Sequence, residues 1–187
     1  MSSEPFGDAL GPDRQQALVR FARLSILAAV TGGRKPQPPE GPGLERERGA
    51  FVTLRRRADD GLRGCVGLVR ADRPLVDVVA DVAVSAALRD SRFDPVTAKE
   101  LPSLRVEISV LGPTFHVRPE EVILGEMGLL IRATGRQGLL LPQVPLEQGW
   151  DRDTFLERTC LKAGLPPSAW REASTEIYAF RCVVFGE

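Results

Sequence analysis

Residues Ala50–Arg70 read AFVTLRRRADDGLRGCVGLVR, two runs of strand-like text around the turn Ala58-Asp59-Asp60-Gly61. An Asp-Gly pair before an alternating run is a strong hairpin signal. Period two places Leu62, Gly64, Val66 and Leu68 on one face of the second strand, and Arg63, Cys65, Gly67 and Val69 on the other. Cys65 therefore shares a face with Arg63, and glycines stand on both sides of it. Glycine inside a strand marks a bulge or a place where something approaches the backbone closely. The expectation is that Gly64 and Gly67 leave open space beside Cys65, forming one wall of a ligand cleft. On that reading Asp90 and Arg92 come within reach, because the chain returns there after a helix packed on the same sheet.

Reading outward from the hairpin, Asp13 and Gln16 resemble a capping box, and Leu18, Phe21, Ala22, Ser25 and Ala29 follow with helical spacing until Gly32-Gly33. Residues 32–49, GGRKPQPPEGPGLERERG, are half glycine and proline and read as a long surface loop. Asp72-Arg73-Pro74 is a helix start, with Asp72 as its cap. It leads into the apolar stripe Leu75, Val78, Val79, Val82, Ala83 and Ala86. Thr97 caps a short turn. LRVEISVL, 104–111, alternates with Leu104, Val106, Ile108 and Val110 inward. GLLIRA and GLLLPQV form a second hairpin around Thr134–Gln137, and a helix follows from Asp151 or Asp153 with Phe155, Leu156, Thr159 and Cys160 inward. Residues 176–185, apolar on both faces, read as one covered central strand. Strands and helices alternate irregularly, so the expected fold class is α+β, a mixed or antiparallel sheet with packed helices.

The 187 residues carry 25 basic and 25 acidic side chains. Zero net charge argues against duplex nucleic acid as the main partner, since such binders concentrate positive charge. Arg55-Arg56-Arg57 reads as a solvated strand end. MSSEPFGDAL lacks the segments of a signal peptide, and the most apolar stretch, 17–30, is broken by Arg20 and Arg23. The chain reads as cytoplasmic with reduced thiols, and no membrane partner is expected. One histidine and three scattered cysteines supply neither a zinc ribbon nor a histidine cluster, so no intrinsic metal is expected. No phosphate loop or dinucleotide fingerprint is present, and no cofactor is expected.

Cys65 is the candidate nucleophile. A positive charge on Arg63 beside it would favour the thiolate and burial would oppose it, and with open space left by Gly64 and Gly67 the charge is expected to win. The alternative is that Cys65 only packs, as small thiols often do. Cys160 and Cys182 fall on apolar positions and read as core. His116, in a loop after LGPTF, has no acid set to orient it. Asp90 and Glu107 form a possible acid and base pair. Gln143 reads as a buried amide in an apolar strand, in need of a backbone or ligand partner.

LRGCVG (62–67), DSRFDP (90–95), VEISVL (106–111), GLLLPQVP (138–145) and the stretch from Trp150 through FLERTCLKAGLPP to Pro167 together resemble the AMMECR domain family. The similarity is to its bacterial and archaeal branch, called AmmeMemoRadiSam system protein A, and it runs from about residue 13 to 185. It implies one AMMECR-type domain over 1–187. It implies a larger subdomain that joins both termini and a smaller one inserted between them. It also implies a setting beside a Memo-type protein and a radical S-adenosylmethionine enzyme, which become the expected partners. The pocket residues it implies are Arg63, Gly64, Cys65 and Gly67, with Asp90, Arg92 and Gln143. Two uses of this surface follow. One is an enzyme or enzyme component whose cleft, lined by Leu62–Gly67, takes a small polar or anionic molecule. The other is a non-catalytic partner that docks on the Memo-type protein.

Overall fold

The computed structural model describes residues 10–69 and 72–187. In chain order these hold α1 (Pro12–Thr31), β1 (Ala50–Arg56), β2 (Leu62–Leu68), α2 (Leu75–Leu88), β3 (Leu104–Leu111), β4 (Phe115–His116), β5 (Gly128–Ala133), β6 (Arg136–Leu140), α3 (Val144–Gln148), α4 (Arg152–Lys162), β7 (Glu176–Phe180) and β8 (Cys182–Gly186). The class is α+β. The chain divides into two compact units, Met1–Val110 with Val183–Glu187, and Leu111–Cys182. The first joins both ends of the chain.

In the first unit the sheet runs β2-β1-β3-β8, with β1 antiparallel to both β2 and β3. Ala50, Val52, Leu54, Leu104, Val106, Ile108 and Val110 all point to one face and are fully buried. Helix α2 lies against β1 and β2, and α1 packs on α2. The stripe Leu75, Val78, Val79, Val82, Ala83 and Ala86 is the buried face of α2. Each larger side chain in it contributes roughly 1.5–3 kcal/mol of apolar burial. The loop from Gly32 stays irregular, yet Leu44 is inserted into the core and the Leu75 and Val76 N–H groups donate to the Arg46 and Leu44 carbonyls.

Gly64 explains how closely α2 approaches. A Cβ there would lie 2.2 Å from the Ala86 carbonyl oxygen, inside the helix backbone. On the other face of β2, a Cβ at Gly67 would strike the Phe51 ring at 2.2 Å. The space expected to be open beside Cys65 is thus filled from within, by helix at Gly64 and by Phe51 at Gly67.

The second unit is a four-stranded sheet, β4-β7-β5-β6, with antiparallel neighbours. Helix α4 packs on β5 and β6. Phe155, Leu156, Thr159 and Cys160 are its fully buried face, and the Asp151 side chain caps it by accepting the Thr154 N–H at 2.8 Å.

Several boundaries differ from the sequence reading. Helix α1 starts after Gly11 with Pro12 in its first turn, so Asp13 lies inside the helix and caps nothing. Pro74, not Asp72, precedes α2, because fixed proline geometry sets the entry without a side-chain cap. Strand β2 ends at Leu68, and Arg70, which alternation placed in it, lies outside the described residues. The final apolar run is two strands interrupted at Arg181. β7 is central in the second sheet, whereas β8 is an edge of the first. The two halves of the run belong to two different cores, Ile177 and Ala179 to that of the second unit and Phe185 to that of the first.

Gly64→Ala should destabilise the chain by about 1–3 kcal/mol, since the helix must move to admit one methyl group. Urea denaturation measures this. Parental stability would mean that α2 does not press on β2 there.

Candidate functional site

Cys65 lies on β2, the edge strand of its sheet, opposite Thr53 of β1, which in turn lies opposite Glu107 of β3. The three form one row on the face away from α2. The Thr53 hydroxyl donates to the Cys65 Sγ at 3.4 Å.

The backbone groups of Cys65 point outward from the edge. Its N–H donates to Asp90 Oδ2 at 2.8 Å, and its carbonyl accepts from Arg92 Nη2 at 3.3 Å. Arg92 in turn donates to both Asp90 oxygens, through Nε at 2.9 Å and Nη2 at 2.6 Å. An unpaired edge presents donors and acceptors that invite another strand. Here a two-residue acid and base pair satisfies them as a neighbouring strand would. Helix α2 ends at Leu88, so its C-terminus delivers Asp90 and Arg92 to that edge. The structure brings Cys65, Asp90 and Arg92 together.

Asp90 is buried, and the Arg92 guanidinium holds its carboxyl well below the usual carboxylate range, aided by the Cys65 and Arg92 N–H groups and opposed by burial. A carboxyl so held is a fixed anion, not a proton shuttle. An acid and base role for Asp90 with Glu107, which the sequence allowed without favouring, finds no support here, since Glu107 stands on the far side of Thr53.

Arg63 does not pair with the thiol. Its Nε and Nη2 donate to the two oxygens of Glu100 at 2.6 and 3.0 Å, and Nη2 also donates to the Asp94 carbonyl at 2.9 Å. Its remaining nitrogen, Nη1, is buried without a partner. The cations that favour the Cys65 thiolate are Arg92 and Arg55, together with the Thr53 hydroxyl. Burial outweighs them and pushes the thiol up. The thiolate expected from Arg63 is not favoured here, because Glu100 has claimed that guanidinium. Arg63 and Arg92 also flank Phe93, with guanidinium carbons 5.8 and 5.5 Å from its ring centroid.

Sequence reasoning missed Glu100, Phe93 and Thr53. Thr53 depends on register, and an irregularity between Leu54 and Arg55 shifts that register. Glu100 carried no sequence signal, since nothing in TAKELP marks it as a partner for residue 63.

The other candidates lie in the second unit or its core. Gln143 stands just before α3, outside any strand, because β6 ends at Leu140. Its side-chain oxygen is buried and unpartnered. His116 is exposed, with its ring 4.3 Å from that of Tyr178. Cys160 is fully buried, whereas Cys182, expected in the core, is only half-buried at the start of β8. Among the described residues no group of three His, Cys, Asp or Glu side chains is placed to hold a metal ion, and no helix is long and apolar enough to cross a membrane.

A family model for AMMECR1 matches residues 19–185. The chain belongs to the AMMECR1 family. Relatives include protein MK0488 of Methanopyrus kandleri, 41% identical over 97% of this chain and 92% of that one. Protein TK0174 of Thermococcus kodakarensis is 43% identical over 91% and 88%. The crystal structure of a protein described as uncharacterized, PH0010 of Pyrococcus horikoshii, superposes with a TM-score of 0.85 at 40% identity, covering 91% of this chain and 89% of that one. The AMMECR1 match includes the Cys65 strand and the Asp90–Asp94 segment that folds over its edge.

Asp90→Asn should cost about 1–3 kcal/mol at pH 7, from a buried network left partly unmet. A folded-state pKa below the unfolded value of about 3.9 stabilises the fold above that value, and the contribution is lost as pH falls through the folded pKa. Denaturation curves of parent and variant should therefore differ most near neutrality and converge in strong acid. A gap that persists unchanged at pH 2 would contradict the assignment.

Proposed function

We propose that the Arg63–Cys65 strand and the Asp90–Asp94 segment recognise a small polar or anionic molecule through acceptor oxygens, as part of an enzyme or enzyme component. The observation that carries this reading is Arg63 Nη1, a buried charged donor without a partner. Buried polar groups in folded proteins are nearly always hydrogen-bonded, so an orphan on a guanidinium already fixed by Glu100 fits a ligand oxygen. Arg92 adds a second, half-exposed guanidinium, and Phe93 adds an apolar surface between the two.

Each arginine is already matched by a carboxylate. The ligand is then drawn by directed hydrogen bonds more than by net charge. Cys65 acts through its backbone, as the anchor of Asp90. The raised thiol leaves it mostly protonated near neutral pH, which is unsuited to unassisted nucleophilic attack.

Titration of acetate and inorganic phosphate into labelled protein, followed by the Cys65, Arg92 and Phe93 amide resonances, tests the reading. Saturable shifts confined to that segment are expected. Arg63→Lys, which keeps the charge and loses the fork, should weaken binding about tenfold. Cys65→Ser should leave it unchanged. Absent shifts, together with loss of a complex with a Memo-type protein on Cys65→Trp, would favour docking over small-molecule recognition.

Cys65 should alkylate slowly at pH 7 and accelerate as pH rises beyond about 8.5, the free-cysteine value. Timed labelling with peptide mass mapping reads this out. Rapid labelling at pH 6 would mean a thiolate and restore the nucleophile.

A further inference from the structure

A cavity of about 700 Å³ lies in the first unit, between α1, α2 and the proline-rich stretch after α1. Its volume falls within the range of small-molecule sites. Phe21, Ala28 and Ala29 of α1 and Ala80 and Val84 of α2 give it an apolar floor. Pro36 and Pro38 form part of the wall, and proline brings no backbone donor to it.

The charges around it are unequal. Arg73 is neutralised by Asp81, 2.6 Å away. Of the other charged groups lining the cavity, Lys35 and Arg89 make no ion pair among the described residues and Asp77 is the acid that remains. Asp77 lies in the first turn of α2 and Arg89 follows its last residue, so they stand about 18 Å apart along the helix. The Arg89 end is the cationic one.

We infer that this cavity binds a small amphiphilic acid, with its apolar body over the alanine floor and its anionic head toward Arg89 and Lys35. The site involves none of Arg63, Cys65, Asp90 or Arg92 and stands apart from the function proposed above. A cationic amphiphile would have Asp77 alone for its head and leave two cations unmatched, and a fully polar ligand would leave the floor unused.

The probe is anilinonaphthalenesulfonate, an aromatic body with one anionic head, with decanoate as competitor. Saturable fluorescence displaced by decanoate is expected. Ala29→Trp, at an exposed position facing the cavity, should weaken binding about tenfold or more with an unchanged melting temperature. Lys35→Ala with Arg89→Ala should weaken decanoate several-fold and leave decanol unaffected. Magnetisation transfer from decanoate to the Ala28, Ala29 and Ala80 methyl groups provides a readout free of mutation. Unsaturable binding, no transfer to those methyls, or displacement by decyltrimethylammonium as effective as by decanoate would each overturn the inference.

Discussion

The 2.2 Å that would separate a Cβ on Gly64 from the Ala86 carbonyl sets the distance between α2 and β2. With that distance fixed, the end of α2 arrives beside the free edge of β2. Asp90 then needs no long side chain to reach the Cys65 N–H, and Arg92 can bond to the Cys65 carbonyl while holding Asp90. The same closeness explains why α2 carries alanines at 83, 86 and 87 on its buried face, where larger groups would push the helix away. A chain that lost this approach would lose a core contact, the cover on its sheet edge and the placement of both arginines around Phe93.

Charge in this region is used for position. Asp90 is bound to Arg92 and to two backbone N–H groups, and Arg63 is bound to Glu100 and a carbonyl. Ion pairs with one buried member lose much if a partner is removed, because the other charge is left with its desolvation uncompensated. That makes the pairs rigid supports. It also removes the free positive charge that a reactive thiolate would need, and the burial of Cys65 then decides its protonation.

The strand faces were legible from period two. Ala50, Val52 and Leu54 on β1 and all four inward residues of β3 are buried as alternation requires. So was the helical stripe of α2, whereas the two glycines were read as leaving open space and are in fact closely covered. What occupies those spaces was not legible, since Ala86 is 22 residues from Gly64 in sequence and no local pattern links them. Partners fixed by tertiary placement were equally hidden. Arg63 beside Cys65 in a strand suggested an ion pair with the thiol, but side chains at i and i+2 only share a face, and Glu100 makes the stronger bidentate claim. The break at Arg181 was hidden because an apolar run reads the same whether it fills one core or two. Gln143 was misplaced for a related reason: the apolar text around it continues past the point where pairing with β5 ends at Leu140.

The glycines and the arginines of LRGCVG therefore answer to different constraints. Gly64 and Gly67 are small because α2 and Phe51 need the room, and a ligand is not required to explain either. Cys65 is explained by the Thr53 hydroxyl, the edge hydrogen bonds and its half-buried setting. Arg63 is the residue whose local structure leaves something over. Two of its three nitrogens are engaged by Glu100 and the Asp94 carbonyl, while the third is withdrawn from solvent with no acceptor of its own. Packing alone would be served by a lysine or an uncharged chain, which would bury fewer donors. Retaining a guanidinium at this position is costly unless its last donor is used, and the acceptor it lacks is the strongest reason to look for function on this edge rather than at the sulfur.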